Sequence, residues 1–146
     1  MSATEANKDL FHRWFGEAWN KGNYDVAYEV VDSDFTVHGA GGQEVKQGPE
    51  GVIELIKTWR NAFPDGQMTI DDLIAEGDLV VARLTWRGTH QGEFYGIAPT
   101  GNQVAVTSIG IDRIVDGKIV EGWGEVDMLG MMQQLGVVPP PGEGGE

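Results

Sequence analysis

The chain of 146 residues contains no cysteine, which excludes disulfide frameworks, thiolate metal sites and cysteine nucleophiles. Its three histidines, His12, His38 and His90, are far apart in sequence and have none of the spacings of a zinc site. No stretch has the length and apolar character of a membrane span, and the polar, acidic N-terminal segment has no signal-peptide core. We therefore expect no metal site, no membrane association and a cytoplasmic location.

Basic residues are also scarce. Ten Lys and Arg residues stand against twenty-three Asp and Glu residues, for a formal net charge of −13. Binding to a phosphate backbone relies on clustered basic side chains, so we expect no nucleic-acid partner. There is no Walker loop and no dinucleotide fingerprint; the glycines at 39, 41 and 42 do not form a phosphate loop ahead of a helix. A nucleotide cofactor is therefore not expected.

The first half of the chain has helical periodicity. Residues 3–31 show helical spacing that is interrupted at Gly22-Asn23, and Pro49 opens a second helical stretch that ends near Phe63. Between these helices, Phe35 to His38 is typical of a short strand, and a glycine-rich loop follows to Gly48. The sequence predicts helices that precede the main β-structure.

The second half is predicted to be β-structure, with runs at 68–76, 79–89, 104–115 and 118–126. Asp116-Gly117 between the last two runs is a strong signal for a two-residue hairpin turn. Helices followed by antiparallel strands indicate an α+β fold in which the helices pack on one face of a curved sheet. Residues 1–136 are read as one domain, and residues 137–146 as a disordered tail rich in Pro, Gly and Glu.

Side chains alternate along a strand, which divides the last run into two faces. One face carries Val120, Gly122, Gly124 and Val126; the other carries Ile119, Glu121, Trp123 and Glu125. The first face has two glycines at places where side chains would otherwise fill a cavity.

Several segments together resemble a known family. They are Ala62-Phe63-Pro64-Asp65, Gly88-Thr89-His90-Gln91-Gly92-Glu93-Phe94, Gly96-Ile97-Ala98-Pro99-Thr100-Gly101 and Val115-Asp116-Gly117-Lys118-Ile119. With the order of the elements, they resemble the SnoaL-like polyketide cyclases, or ester cyclase-like proteins, of the nuclear transport factor 2-like superfamily, over Asn7 to Gly136. The resemblance implies a cone-shaped, strongly curved antiparallel sheet wrapped around N-terminal helices, and a homodimer. It also implies an intramolecular aldol cyclisation that needs neither metal nor cofactor and uses a pocket aspartate as acid and base.

The chain departs from this pattern at the pocket. The position of the family's aspartate falls on Gly124 and that of a pocket histidine on Gly122, while glutamine and histidine positions fall on Ser108 and Gly110. Glycine has no group that can transfer a proton. One interpretation is that the glycines relieve crowding or permit a bulge. The other is that they enlarge the cavity for a bulkier ligand while the chemistry moves to other residues.

Three residues are candidates for that chemistry. Asp112 shares a face with Ser108 and Gly110, and burial there would raise the pKa of its carboxyl, although an ion pair with an arginine is an equal alternative. His38 ends the first strand near the pocket mouth, with a structural role as its alternative. Asp127 precedes the terminal helix and has helix capping as its simpler role.

The binding surface for a hydrophobic small molecule is predicted from the aromatic and small residues. Its expected members are Trp59, Phe63, Trp86, Tyr95, Met128, Ser108, Gly110, Gly122 and Gly124, with His90 at the rim. The alternative is that the aromatic residues form only core and that His90 is structural. Two functions follow: an acid-base enzyme acting on a hydrophobic carbonyl compound, or a non-catalytic binding protein with an enlarged pocket.

Overall fold

The computed structural model describes residues 2–39, 44–139 and 142. The chain begins with a helical region made of α1, a π-helical segment and α2, and it ends with the short helix α4. A third helix, α3, lies between the first two strands and the other four. The bounds are α1 Ala3–Arg13, the π-helical segment Trp14–Trp19, α2 Asp25–Val30, β1 Val31–His38, β2 Glu44–Lys46, α3 Gly48–Ala62, β3 Gln67–Glu76, β4 Leu79–Thr89, β5 Gln103–Val115, β6 Lys118–Val126 and α4 Met128–Gln134.

The six strands form one sheet in the order β2-β1-β6-β5-β4-β3. Neighbours are antiparallel except β1 and β6, which run parallel. The predicted α+β architecture is confirmed, but this parallel pair was not predicted, because it joins strands about eighty residues apart and leaves no turn signal. β1 is also longer than the predicted Phe35–His38, and β2 pairs with it from within the predicted glycine-rich loop. Residues 40–43 of that loop lie outside the described residues.

A bulge in β6 alters the predicted division of its faces. Ile114 pairs with Ile119 and Arg113 with Glu121, so Val120 has no partner of its own. A single extra residue shifts the alternation of side chains by one position. Ile119 and Gly122 are consequently both buried, whereas the sequence assigned them to opposite faces.

The N-terminal helices supply much of the core. Ser2 caps α1, since its hydroxyl accepts a hydrogen bond from the backbone N–H of Glu5. The π-helical segment buries four residues against the sheet; they are Trp14, Phe15, Ala18 and Trp19. A π-helical segment widens the turn, and such segments are frequent at functional sites.

The segment after α3 is tied to the end of β4. Asp65 accepts hydrogen bonds from the backbone N–H (2.7 Å) and the hydroxyl (2.8 Å) of Thr89. These bonds lower the pKa of Asp65. A side chain at Gly92 would overlap the carbonyl of Asn61, which explains the glycine there. Two of the motif segments that carry the family resemblance thus hold a loop to a helix end.

Three further observations concern membrane spans, metal-binding clusters and the predicted tail. No helix in the described ranges is long and apolar enough to cross a bilayer. Within those same ranges no three His, Asp or Glu side chains cluster in a way that would hold a metal ion. The predicted tail, 137–146, lies mostly outside the described residues.

Candidate functional site

A cavity of about 520 Å³ lies between the helices and the inner face of strands β4 to β6. Its lining is largely apolar and includes Trp14, Trp19, Trp59 and Trp86. Apolar walls with a few polar groups are characteristic of small-molecule sites. Of the predicted binding residues, those that line the cavity are Trp59, Trp86, Tyr95, Ser108, Gly110, Gly122, Gly124 and Met128.

Asp112 brings a carboxyl group to this cavity. It pairs directly with Gly122 across β5 and β6, and a side chain at position 122 would overlap the Asp112 carboxyl. Gly122 therefore does not widen the cavity; it leaves the space that Asp112 occupies. Burial raises the pKa of Asp112 to about 7, because desolvation disfavours the charged form.

The alternative ion pair of Asp112 with an arginine is not formed. The neighbouring Arg113 instead donates hydrogen bonds to Asp78 and Glu121. Among the described residues, Asp112 has neither a hydrogen bond nor an ion pair. A carboxyl whose pKa is raised towards neutral pH can take or give a proton in the cavity.

Gly110 and Gly124 are different from Gly122. They pair with each other on the cavity face, next to the pair of Asp112 and Gly122. A Cβ atom at Gly124 would have no heavy atom within 4 Å, and one at Gly110 would meet only the Trp123 carbonyl at 3.6 Å. These two glycines leave part of the cavity floor without side chains.

His38 does not line the cavity. Its ring stacks on Trp123 with 5.0 Å between centroids, and its Nε2 lies 3.1 Å from an oxygen of Glu121. Glu121 also accepts a hydrogen bond from Arg113, and Arg113 and then His38 lower its pKa. β1 runs parallel to β6 and directs this side chain to Glu121. The structural alternative accounts for these contacts, and a catalytic role of His38 stays a prediction.

Asp127 caps helix α4. Its carboxylate accepts a hydrogen bond from the backbone N–H of Gly130 at 2.9 Å, and it is absent from the cavity lining. A side chain at Gly130 would overlap this carboxylate. The capping alternative thus accounts for the position of Asp127.

Phe63 and His90 lie in the core behind the cavity. Both have no exposed surface, and their rings pack 5.5 Å apart. His90 Nδ1 accepts a hydrogen bond from the backbone N–H of Thr100 and lies 3.0 Å from the Thr100 hydroxyl. Their predicted positions in the pocket wall and at its rim are wrong, because α3 turns Phe63 towards Phe94 and Trp86.

Several further wall residues were not predicted. They lie in the π-helical segment, on β1 and on α3, and are Trp14, Phe15, Trp19, Val31, Phe35, Val37, Val52 and Leu55. Trp14, Phe15 and Trp19 belong to the stretch 3–31, for which the sequence predicted helical structure and no further role. Helical periodicity identifies a buried face but does not distinguish core from cavity wall.

The fold and its cavity define a class of α+β protein in which a curved sheet encloses a small-molecule site. The chain belongs to the SnoaL-like polyketide cyclase family, whose family model matches residues 9–135. It is 32% identical to aklanonic acid methyl ester cyclase DnrD of Streptomyces peucetius over 93% of this chain and 94% of the relative. Identity to nogalonic acid methyl ester cyclase of Streptomyces nogalater is 30%, over 87% of this chain and 96% of the relative.

A solved structure agrees with this assignment. AclR, a proposed hydroxylase from Streptomyces galilaeus, superposes with a TM-score of 0.85 at 31% identity, covering 94% of this chain and 85% of AclR. Proteins with different described activities therefore share this fold, and the function must be argued from the site.

Proposed function

We propose that the protein is a cofactor-independent cyclase that acts on a hydrophobic, polyketide-like carbonyl compound, with Asp112 as the acid-base residue. The observation that carries the proposal is the Asp112 carboxyl, which lines an aromatic cavity without a partner among the described residues and has a pKa of about 7. By the sequence resemblance, the family's aspartate corresponds to Gly124, which has no group to transfer a proton.

The cyclisation needs one acid-base group that removes a proton and later returns it. The Asp112 carboxylate removes a proton from a carbon beside a carbonyl group, which forms an enolate. The enolate carbon attacks a second carbonyl carbon of the same molecule, and a C–C bond forms as the C=O π bond opens. The resulting alkoxide takes the proton from the Asp112 carboxylic acid, so protons and electrons balance without a cofactor.

Gly110 and Gly124 support a ligand that is wide at this point. Their peptide groups form a floor without side chains beside Asp112. The Gly110–Gly124 pair lies about 7 Å along the strands from the Asp112–Gly122 pair. A planar part of the substrate can lie on this floor in van der Waals contact, with its edge towards the carboxyl.

The test uses the methyl esters in the names of the relatives. Purified protein is incubated with aklanonic acid methyl ester or nogalonic acid methyl ester, and the products are separated by chromatography and mass spectrometry. We expect the wild type to form a cyclised product of unchanged mass from at least one ester, and Asp112→Asn to lose at least a hundredfold in rate. Asp127→Asn, which changes a carboxylate outside the cavity, is the matched control and should keep most of the rate.

The competing function is non-catalytic binding. The bare floor at Gly110 and Gly124 favours it, because these two positions offer no side chain that could take part in a reaction. Native mass spectrometry separates the two: a ligand that binds and is recovered unchanged after long incubation supports binding alone. Turnover by Asp112→Asn at the wild-type rate would show that Asp112 is not the acid-base residue.

We also propose a homodimer that forms through the outer face of the sheet. Ile109 and Trp123 on this face are 53% and 37% exposed, and Arg83 and Glu125 are also exposed there. An apolar centre with charges around it is typical of an interface. Light scattering should give twice the monomer mass, and Ile109→Glu should give the monomer. A monomeric wild type would contradict the proposal.

A further inference from the structure

Tyr95 has a backbone conformation that does not suit its residue type. Tyr95 and Gly96 are the central residues of a two-residue turn closed by hydrogen bonds between Phe94 and Ile97 in both directions, 3.0 and 2.9 Å. Their φ angles are 47° and 84°. Such turns favour Asn, Asp and Gly at the first position. An L-residue with a bulky side chain is disfavoured there roughly five- to thirtyfold.

The strained residue adds little to the core. In the described chain only one other non-glycine residue has a positive φ, Asp116, and aspartate tolerates this conformation well. Tyr95 is 64% exposed, whereas its neighbour Phe94 has no exposed surface and packs against Trp59 at 5.0 Å. The edge contact of Tyr95 with Phe94, at 4.7 Å, offsets only part of the strain.

The loop around Tyr95 is held in place at its base. The backbone N–H of His90 donates to the carbonyl of Asn102, and that of Gly101 donates to the carbonyl of His90, both at 2.9 Å. Phe94 anchors the middle of the loop in the core. The fold therefore fixes the position of Tyr95, which lines the cavity.

We propose that Tyr95 is an aromatic clamp that packs against a planar aromatic ring of the ligand at the exposed end of the cavity, and that its strained conformation is retained for binding. The inference rests on the proposed function only in taking this cavity as the ligand site. Strained residues of this kind cluster at ligand clamps. The ring face, rather than the hydroxyl, makes the contact that matters.

The probe is 9-fluorenone, a flat tricyclic ketone with no proton on the carbons beside its carbonyl, so its binding is measured without turnover. Because Trp14, Trp19, Trp59 and Trp86 line the cavity, quenching of tryptophan fluorescence reports binding. We expect Tyr95→Asn and Tyr95→Gly to weaken binding at least fivefold and to raise the urea midpoint of unfolding. Tyr95→Phe should change the dissociation constant less than twofold.

Tyr28→Asn is the matched control. Tyr28 is also exposed, at 53%, but it lies on α2 and does not line the cavity. This variant should bind fluorenone like the wild type and should not gain stability.

The proposal is wrong if Tyr95→Asn and Tyr95→Gly bind as tightly as the wild type, if both are less stable than it, or if the wild type does not bind fluorenone. If Tyr95→Phe loses as much fluorenone affinity as these variants, the hydroxyl rather than the ring makes the contact, and the proposal is also wrong. Fluorenone binding is measured without turnover, so a failure of the clamp and a failure of Asp112 as the acid-base residue are seen separately.

Discussion

The carboxyl of Asp112 occupies the space above Gly122, its direct partner across strands β5 and β6. A Cβ atom at position 122 would overlap an oxygen of this carboxyl, so the two positions are coupled. The Asp112 carboxyl keeps this position only while residue 122 has no side chain. The glycine is thus explained by its neighbour, and the first prediction concerns this pair.

Gly122→Ala should displace the Asp112 carboxyl, because the added methyl group overlaps it. We expect turnover to fall at least tenfold and the pH dependence of the remaining rate to change. Gly124→Ala is the matched variant on the same strand and face, where no heavy atom lies within 4 Å. Its unfolding free energy should stay unchanged or rise by about 0.5–1 kcal/mol, since alanine loses less backbone entropy. Full activity of Gly122→Ala with an unchanged pH profile would contradict this account.

Asp112 should also make stability depend on pH. Its pKa in the folded protein is about 7, above the unfolded value near ~4. Between these values the folded state binds the extra proton, so stability is present at low pH and is lost as the pH rises towards 7. The loss is at most about 1.4 kcal/mol per pH unit, and less where cavity water screens the charge.

Urea unfolding at pH 4.5 and 7.5 tests this dependence by comparing the wild type with Asp112→Asn. The amide has no charge to desolvate, so the variant should gain stability relative to the wild type on going to the higher pH. Comparison with the variant cancels the contributions of the other titrating groups. A stability difference that is the same at both pH values would mean that the Asp112 pKa is not raised.

The sequence predicted those features that depend on local signals. Helical spacing, the Asp116-Gly117 turn and the alternation along β5 identified the elements and placed Asp112 on the same face as Gly110. The bulge at Val120 and the parallel pairing of β1 with β6 depend on contacts between distant segments. No local pattern encodes them, and they decided the surroundings of Ile119 and His38.

The motif residues show a second limit. Phe63, Asp65 and His90 belong to the segments that identified the family. Phe63 was predicted to bind the substrate, and His90 to lie at the rim of the binding surface. The structure gives them packing and hydrogen-bonding roles that hold the loop after β4 to helix α3. A residue that marks a family is therefore not by that fact a residue of its pocket.

His38 should be dispensable for turnover. Its side chain stacks on Trp123 and contacts Glu121, and it is absent from the cavity lining. We expect His38→Asn to keep the rate within about threefold and to lose up to about 1 kcal/mol of stability, as for a partly exposed hydrogen bond. Steady-state kinetics beside Asp112→Asn measures this. A hundredfold lower rate in a folded His38→Asn protein would show that His38 takes part in the reaction.

Substitutions at Phe63 and at Trp59 should have different effects, because one residue lies in the core and the other in the cavity wall. Their rings stack 6.2 Å apart, but Phe63 is fully buried behind the wall while Trp59 lines the cavity. Phe63→Leu should cost about 1–2 kcal/mol of stability through lost packing, with fluorenone affinity unchanged within twofold. Trp59→Leu should lower both stability and affinity, because its ring serves the core and the ligand. Urea unfolding and fluorescence titration of both variants test this difference, and a large affinity loss in Phe63→Leu alone would place Phe63 at the ligand.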